Sequence, residues 1–241
     1  MKLKNKICVI IPCFKVKKNI INVLKKINYS LVDKVLVVDD FCPENSGQRA
    51  ESFINKKVEV IYCKSNLGVG GATKLGFKKA LKENFKILIK IDGDGQHNPD
   101  DIKKFVKIFD NKTINFCKGT RFNKKNNKDK IPGFRLFGNI ILTKISRITC
   151  KNPNLNDVVN GFLAIRSNLL NQLNLKKISD DFFFEEDLLF HISFYENKVL
   201  EIPIKTFYFG KSNLNPLKTI LPFLLKHLKN FIIRIHYDFT K

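Results

Sequence analysis

The chain has 241 residues, 44% of them hydrophobic and 27% charged, enough to bury one large α/β core and too apolar for intrinsic disorder. Its 44 lysines and arginines against 22 acids give a formal charge of +22, which favours anionic partners such as nucleic acid, anionic lipid or phosphorylated substrates. Lysine is spread through almost every segment, so charge alone does not choose among them.

The N-terminal MKLKNKICVIIPCF sets basic residues before a short apolar stretch. That stretch ends at Pro12 with no small-residue cleavage site, so residues 7–11 read as a buried strand rather than a signal peptide. Apolar spacing at Ile20, Val23, Leu24 and Ile27 predicts a helix over 19–27. Residues 34–38 form a second buried strand ending in Asp39 and Asp40, followed by a loop, a short helix over 47–55 and a third strand over 58–62. A helix over 71–83 leads to a fourth strand, 86–91, which runs straight into Asp92-Gly93-Asp94-Gly95. Asn98 suits an N-cap, Pro99 the first helical position, and Asp100 with Asp101 the positive end of the helix dipole, so these two aspartates read as structural. A strand over 114–117, a Lys/Asn-rich candidate mobile loop over 123–130, a helix over 135–149 and a strand over 161–166 come next. The run DFFFEEDLLFHISF, a strand over 199–204 and a helical segment over 216–237, broken by Pro222, complete the chain. This alternation predicts a mostly parallel sheet with helices on both faces, and such sheets bind ligands at the C-terminal edge of their strands.

Asp92 and Asp94 fall at that edge. Carboxylates one residue apart in a glycine-flanked turn can both reach a divalent cation, and Mg²⁺ or Mn²⁺ is usually held by one or two carboxylates plus substrate phosphates. A turn that uses Asp and Gly only for their conformation is the other reading. Asp39 and Asp40 sit at an equivalent edge, where a carboxylate can hydrogen-bond a base or ribose. Residues 66–72 (NLGVGGA) lead into a helix with N–H groups available to an anion. They do not make a dinucleotide fingerprint, since Thr73 stands where Gly or Ala is needed, and a nicotinamide enzyme is disfavoured.

The six cysteines contain no Cys-x-x-Cys pair, which fits reduced thiols in a cytoplasmic protein better than a zinc cluster or disulfide framework. His97 and His191 lack a second His or Cys at ligand spacing and read as ordinary polar residues. Phe182 to Phe184 read as core. No apolar run reaches the roughly 18 to 20 residues that span a bilayer. The last segment, with Lys218, Lys226, Lys229 and Arg234 among apolar residues, suits either a helix packed on the domain or an interfacial helix on anionic lipid.

The motifs Ile10-Ile11-Pro12-Cys13-Phe14, Val37-Val38-Asp39-Asp40, Asn66-Leu67-Gly68-Val69-Gly70, Asp92-Gly93-Asp94-Gly95-Gln96 and Gly119-Thr120-Arg121-Phe122 occur in this order. Together they resemble family 2 glycosyltransferases over roughly residues 7 to 215, most closely the dolichyl/polyprenyl phosphate mannose synthase branch. The resemblance implies a GT-A (Rossmann-like) nucleotide-diphospho-sugar transferase fold, a GDP- or UDP-sugar donor, a divalent metal and an inverting transfer. Pro12, Phe14, Asp39, Asp40, Asn66 and Gly70 would then hold the nucleotide sugar. Asp92 would reach nucleotide or metal, and Asp94 and Gln96 would be metal ligands. Arg121 and Arg135, with Asn139 where the synthases carry serine, would hold an acceptor phosphate, which guanidinium groups bind in bidentate fashion. Asp157, Asn160 and Gly161 resemble the family's D-x-x-[ST/N]-G stretch under the active site. Phe14-Lys15-Val16 and Asp39-Asp40-Phe41-Cys42-Pro43-Glu44 depart from the family's Tyr-Asn-Glu and DDGSTD, which leaves base and sugar open.

The expected function is a metal-dependent transfer to a polyprenyl phosphate or related cell-envelope acceptor at the cytoplasmic membrane face. Residues 1–215 would be the catalytic domain and 216–241 a basic amphipathic segment on an anionic membrane surface. A sugar hydroxyl acceptor would need a general base, for which Glu185, Glu186 or Asp187 is the available cluster; a phosphate acceptor needs none. A non-catalytic membrane-associated scaffold with the same body is a further reading. Nucleic acid is not an expected partner, because no binding fold or basic-aromatic motif occurs and strand-end carboxylates repel phosphate without a metal.

Overall fold

The computed structural model describes residues 5–122, 133–195, 199–207 and 216–240, except the side chains of 134, 135 and 216–220. The candidate loop over 123–130 lies outside the described residues. Seven strands form one sheet: β1 (Ile7–Cys13), β2 (Lys34–Asp39), β3 (Val58–Tyr62), β4 (Ile87–Lys90), β5 (Phe116–Thr120), β6 (Leu163–Arg166) and β7 (Leu200–Pro203). Their order is β3-β2-β1-β4-β6-β5-β7, and every neighbouring pair is parallel except those made by β6. Because β6 runs the other way, its first residue Leu163 pairs with Lys90, the last of β4. Residues 157–161 are thereby delivered to the same edge at which the parallel strands end.

The strands are apolar on both faces because helices cover both. On one side α1 (Ile20–Lys26), α2 (Ser46–Glu51) and α4 (Ile102–Ile108) bring Ile20, Leu24, Ala50 and Phe105 onto Val9, Ile11, Val37 and Ile89. On the other, α3 (Gly68–Lys82), α6 (Ser167–Gln172) and α7 (Phe184–Ile192) bring Phe77, Leu169 and Leu188 onto Cys8, Ile10, Val38 and Leu88. Successive residues of β1 thus serve opposite layers, as the two-residue period of a strand requires. Phe183 and Phe184 are core, as expected, but Phe182 is 44% exposed. All six cysteines are buried and unpaired.

Two helices lie outside this sandwich, α5 (Gly133–Thr149) and α8 (Pro216–Phe239), and they pack on each other, with α5 also against α7. The expected break at Pro222 does not occur. Pro222 stands in the second turn, where it removes one backbone bond and leaves the rest of the helix intact. Both helices are inside out. The buried residues of α5 include Asn139, Thr143, Ser146 and Thr149, and those of α8 include His227, Asn230 and Arg234, while Phe137, Ile141, Ile148, Leu225, Leu228 and Ile232 are exposed. Among the described residues no helix is long and apolar enough to cross a membrane.

Candidate active site

At the ends of β1, β2 and β3, Phe14, Asp39, Cys42, Tyr62 and Asn66 line a groove of about 470 Å³. The Asp39 carboxylate accepts the N–H groups of Cys42 (2.8 Å) and Gly47 (2.6 Å) and so seats the first turn of α2. Gly47 is required there, since a Cβ would lie 2.6 Å from Asp39 Oδ2. Asp40 accepts the Leu67 N–H at 2.6 Å, and the Asn66 amide donates to the Asp40 carbonyl at 3.1 Å. Burial raises the Asp40 carboxyl above its usual range despite the N–H groups of Leu67 and Gly68. Pro12 is buried in β1, paired with Val38, and its carbonyl packs under Gly93. The two aspartates therefore build the wall of the groove.

The glycine-rich lead into α3 is used differently from the expected anion cradle. The Gly71 N–H donates to the Asp180 carbonyl at 2.9 Å. A Cβ at Gly68 or Gly70 would strike the carbonyls of Asp180 or Ser179 at 2.6 and 2.5 Å. These glycines, Gly70 included, let the 179–180 backbone lie directly on the helix start, and that chain occupies the place an anion would take.

The acidic turn lies at the end of β4. Lys90 Nζ is 2.6 Å from Asp92 Oδ1 and 2.7 Å from Glu185 Oε1. Burial opposes ionisation of Asp92, but the Lys90 ammonium holds its carboxyl below the usual range. Asp94 differs: its Oδ1 accepts the Gln96 N–H at 2.9 Å, and it forms no ion pair among the described residues. Burial, reinforced by the Asp92 charge, raises Asp94 to about 6. Its carbonyl accepts from Asn19 Nδ2 at 2.7 Å, and the Gln96 carbonyl accepts the Phe207 N–H at 2.8 Å, so the turn is pinned from two sides. His97 is buried against Phe162, and burial lowers it to about 4.

Beyond β5, Arg121 and Asp157 make a bidentate pair, Nε to Oδ2 at 2.8 Å and Nη2 to Oδ1 at 2.7 Å. Although burial works against it, Arg121 holds the Asp157 carboxyl far below the usual range. Asn139, expected at an acceptor phosphate, instead donates to Asp157 Oδ1 at 2.8 Å and accepts from Thr143 at 3.0 Å. Both ends of this buried amide are consumed inside the protein, because α5 turns its polar stripe inward. Arg135 begins the same helix, but its side chain lies outside the described residues. Of the acidic cluster, only Glu185 reaches the turn. Glu186 pairs with His227 of α8 at 2.6 Å, and Asp187 accepts from Ser179 at 2.8 Å and Asn230 of α8 at 3.0 Å.

The Glycosyl transferase family 2 profile matches residues 8–173. The chain belongs to this family. An uncharacterised protein of Methanocaldococcus jannaschii is 30% identical over 207 residues, covering 85% of this chain and 83% of its own length. A UDP-N-acetylglucosamine–dolichyl-phosphate N-acetylglucosaminyltransferase of Methanococcus voltae is 28% identical, covering 84% of this chain and 86% of its own length. An undecaprenyl-phosphate mannosyltransferase of Micrococcus luteus is 27% identical, covering 70% of each. The crystal structure of glucosyl-3-phosphoglycerate synthase from Mycobacterium tuberculosis with Mn²⁺, UDP and phosphoglyceric acid superposes with a TM-score of 0.70. It covers 97% of this chain and 79% of the synthase at 15% identity, which establishes the shared GT-A fold.

In this family 2 glycosyltransferase the residues at the turn suit a divalent cation. Among the described residues no three His, Cys, Asp or Glu side chains converge on one point; substrate phosphates ordinarily supply part of the coordination of Mg²⁺ or Mn²⁺. Asp94, a desolvated carboxylate with no ion pair among the described residues, is the group such an ion would satisfy.

Reasoning from sequence missed Lys90, Lys118, His227 and Asn230, and it placed Arg234 in the last helix without its buried partners Thr149 and Ser193. Lys118, fully buried in β5, donates to the Val158 carbonyl at 2.7 Å and to that of Asp157. The signal was a lysine inside each of two doubly covered strands, since a buried charge requires partners.

Proposed function

We propose that the chain is a metal-dependent inverting glycosyltransferase that moves a sugar from a nucleotide-sugar donor to a polyprenyl phosphate. The observation carrying this reading is the Asp92–Asp94 turn at the end of β4, on the same sheet edge as the groove lined by Asn66 and Asp39, with one carboxylate neutralised by Lys90 and the other, Asp94, in no ion pair among the described residues. Asp94 and Gln96, with Asp92 Oδ2, would hold Mg²⁺ or Mn²⁺, which when bound offsets the charge developing on the departing diphosphate. Phe14 and the wall built by Asp39 and Asp40 would hold the nucleoside, leaving the anomeric carbon open on the opposite face. A single displacement there inverts the configuration.

The names of the relatives favour a lipid phosphate, whether the donor carries UDP or GDP. So do the partners of the acids on α7: Glu185, Glu186 and Asp187 already meet Lys90, His227 and Ser179 with Asn230. A phosphate acceptor is already an anion and needs no base from that cluster. Arg121, braced by Asp157, and Arg135 are assigned to the acceptor phosphate.

We place the enzyme on the cytoplasmic membrane face, with the outward apolar sides of α5 and α8 against lipid. Exposed apolar patches of this kind mark interaction surfaces, and the charge of +22 attracts anionic headgroups. The test is release of nucleoside diphosphate from a panel of UDP- and GDP-sugars upon adding a short polyprenyl phosphate with Mn²⁺. Acceptor-dependent release from one donor, lost on chelation, is expected. Donor binding without any release would favour the scaffold reading.

A further inference from the structure

Lys90 follows Ile87, Leu88 and Ile89 in β4 and is 1% exposed. It pairs in the sheet with Ile10 on one side and Leu163 on the other, and Leu163 pairs in turn with the second buried lysine, Lys118. Its ammonium reaches Asp92 at 2.6 Å and Glu185, from the first turn of α7, at 2.7 Å. Gly161 closes the remaining side: a Cβ there would lie 2.4 Å from Asp92 Oδ2 and 2.7 Å from Lys90 Nζ. Desolvating an ammonium and two carboxylates costs several kcal/mol per ion, and well-packed apolar residues of similar volume often serve stability as well or better. The trio therefore points to a purpose other than filling the core.

We propose that Lys90 is a positioning residue for glycosyl transfer: it fixes Asp92 Oδ1 and ties the acidic turn to α7 through Glu185, so that Asp92 presents only Oδ2 to the donor. The orientation of Asp92 is then set by a cation inside the protein before any divalent ion arrives. This inference rests on the reading of the Asp92–Asp94 turn as the diphosphate centre. It gives β4, whose lysine interrupts the apolar run, and α7, whose acids were candidates for a base, one shared task.

The test uses the whole chain with Mn²⁺ and UDP or GDP as probes, following free Mn²⁺ by electron paramagnetic resonance and folding by thermal melting. Lys90→Met is expected to weaken Mn²⁺–nucleotide binding by about 10- to 100-fold, as loss of a partner that orients a metal-site group does. The Lys90→Met/Glu185→Met pair, which removes both buried charges, is expected to regain melting temperature without regaining affinity. Glu185→Gln, nearly isosteric, is expected to stay folded and bind several-fold more weakly; it carries the test if Lys90→Met does not fold. Recovery of both stability and affinity in the double variant, or wild-type affinity in Glu185→Gln, would overturn the inference. A wild-type chain that binds neither nucleotide with Mn²⁺ overturns the diphosphate-centre reading itself, before any substitution is compared.

Discussion

Asp94 and His97 are three residues apart and titrate in opposite senses. His97 falls from 6.5 to about 4, so between those values the unfolded chain binds the extra proton and stability drops as pH falls, by on the order of 3 kcal/mol in all. Asp94 rises from 3.8 to about 6, so there the folded state binds more protons and stability grows as pH falls through the same window. The two nearly cancel. Asp94→Asn should therefore make melting temperature fall more steeply than in wild type between pH 6.5 and 4, while His97→Phe should make it rise. Asp157 is depressed, so its contribution is present above the ordinary carboxylate range and lost only in strong acid. Arg121→Ala leaves that carboxylate buried without its cation and should cost about 3–5 kcal/mol in denaturant unfolding, with Arg121→Lys restoring part of it. Asp39, Asp92 and Asp94 were legible in the sequence as candidate site residues because each follows a strand at the ligand-binding edge, and Asp157 only through the family resemblance. The pairings were not legible: Arg121 and Asn139 meet Asp157 only through the fold, and the spacing of Lys90 and Asp92 does not show that Glu185 joins them.

Among the elements, α5 and α8 depart furthest from what periodicity suggests. A helical apolar stripe is ordinarily read as the face turned to the core, and here Phe137, Ile141, Leu225 and Ile232 point outward. The inward stripe of α8 is held by specific polar contacts instead: His227 to Glu186, Asn230 to Asp187 at 3.0 Å, and Arg234 to Ser193 and to the Thr149 carbonyl. Sequence gave an interfacial helix as one of two alternatives for the tail, and the structure has it packed on the domain with its apolar side still exposed. Leu225→Glu with Ile232→Glu, at positions 59% and 58% exposed, should abolish flotation with vesicles containing anionic phospholipid and leave melting temperature unchanged. A fall in melting temperature would show that the outward face packs within the protein. Asn230→Leu should do the reverse, loosening α8 from Asp187 with little effect on vesicle binding.

For the whole molecule, the alternation of strands and helices fixed the class, and all seven strands were read within a few residues. The antiparallel direction of β6 was not readable, because a short apolar strand such as LAIR carries no mark of whether it runs parallel or antiparallel to its neighbours. That reversal brings Gly161, Asn160 and Asp157 to the edge where β1, β2 and β4 end, and so decides which residues share the site. The glycines of residues 68–71 show the same limit from the other side: they looked fit for an anion and were filled by a chain segment distant in sequence. On the reading proposed above, the acidic turn binds the donor diphosphate through a divalent cation on Asp94. Calorimetric titration of UDP and GDP into wild type and Asp94→Asn, with Mn²⁺ and with chelator, tests it most directly. One nucleotide should bind wild type only when Mn²⁺ is present, and should not bind a folded Asp94→Asn; equal binding to both proteins, or binding indifferent to chelation, would contradict the account.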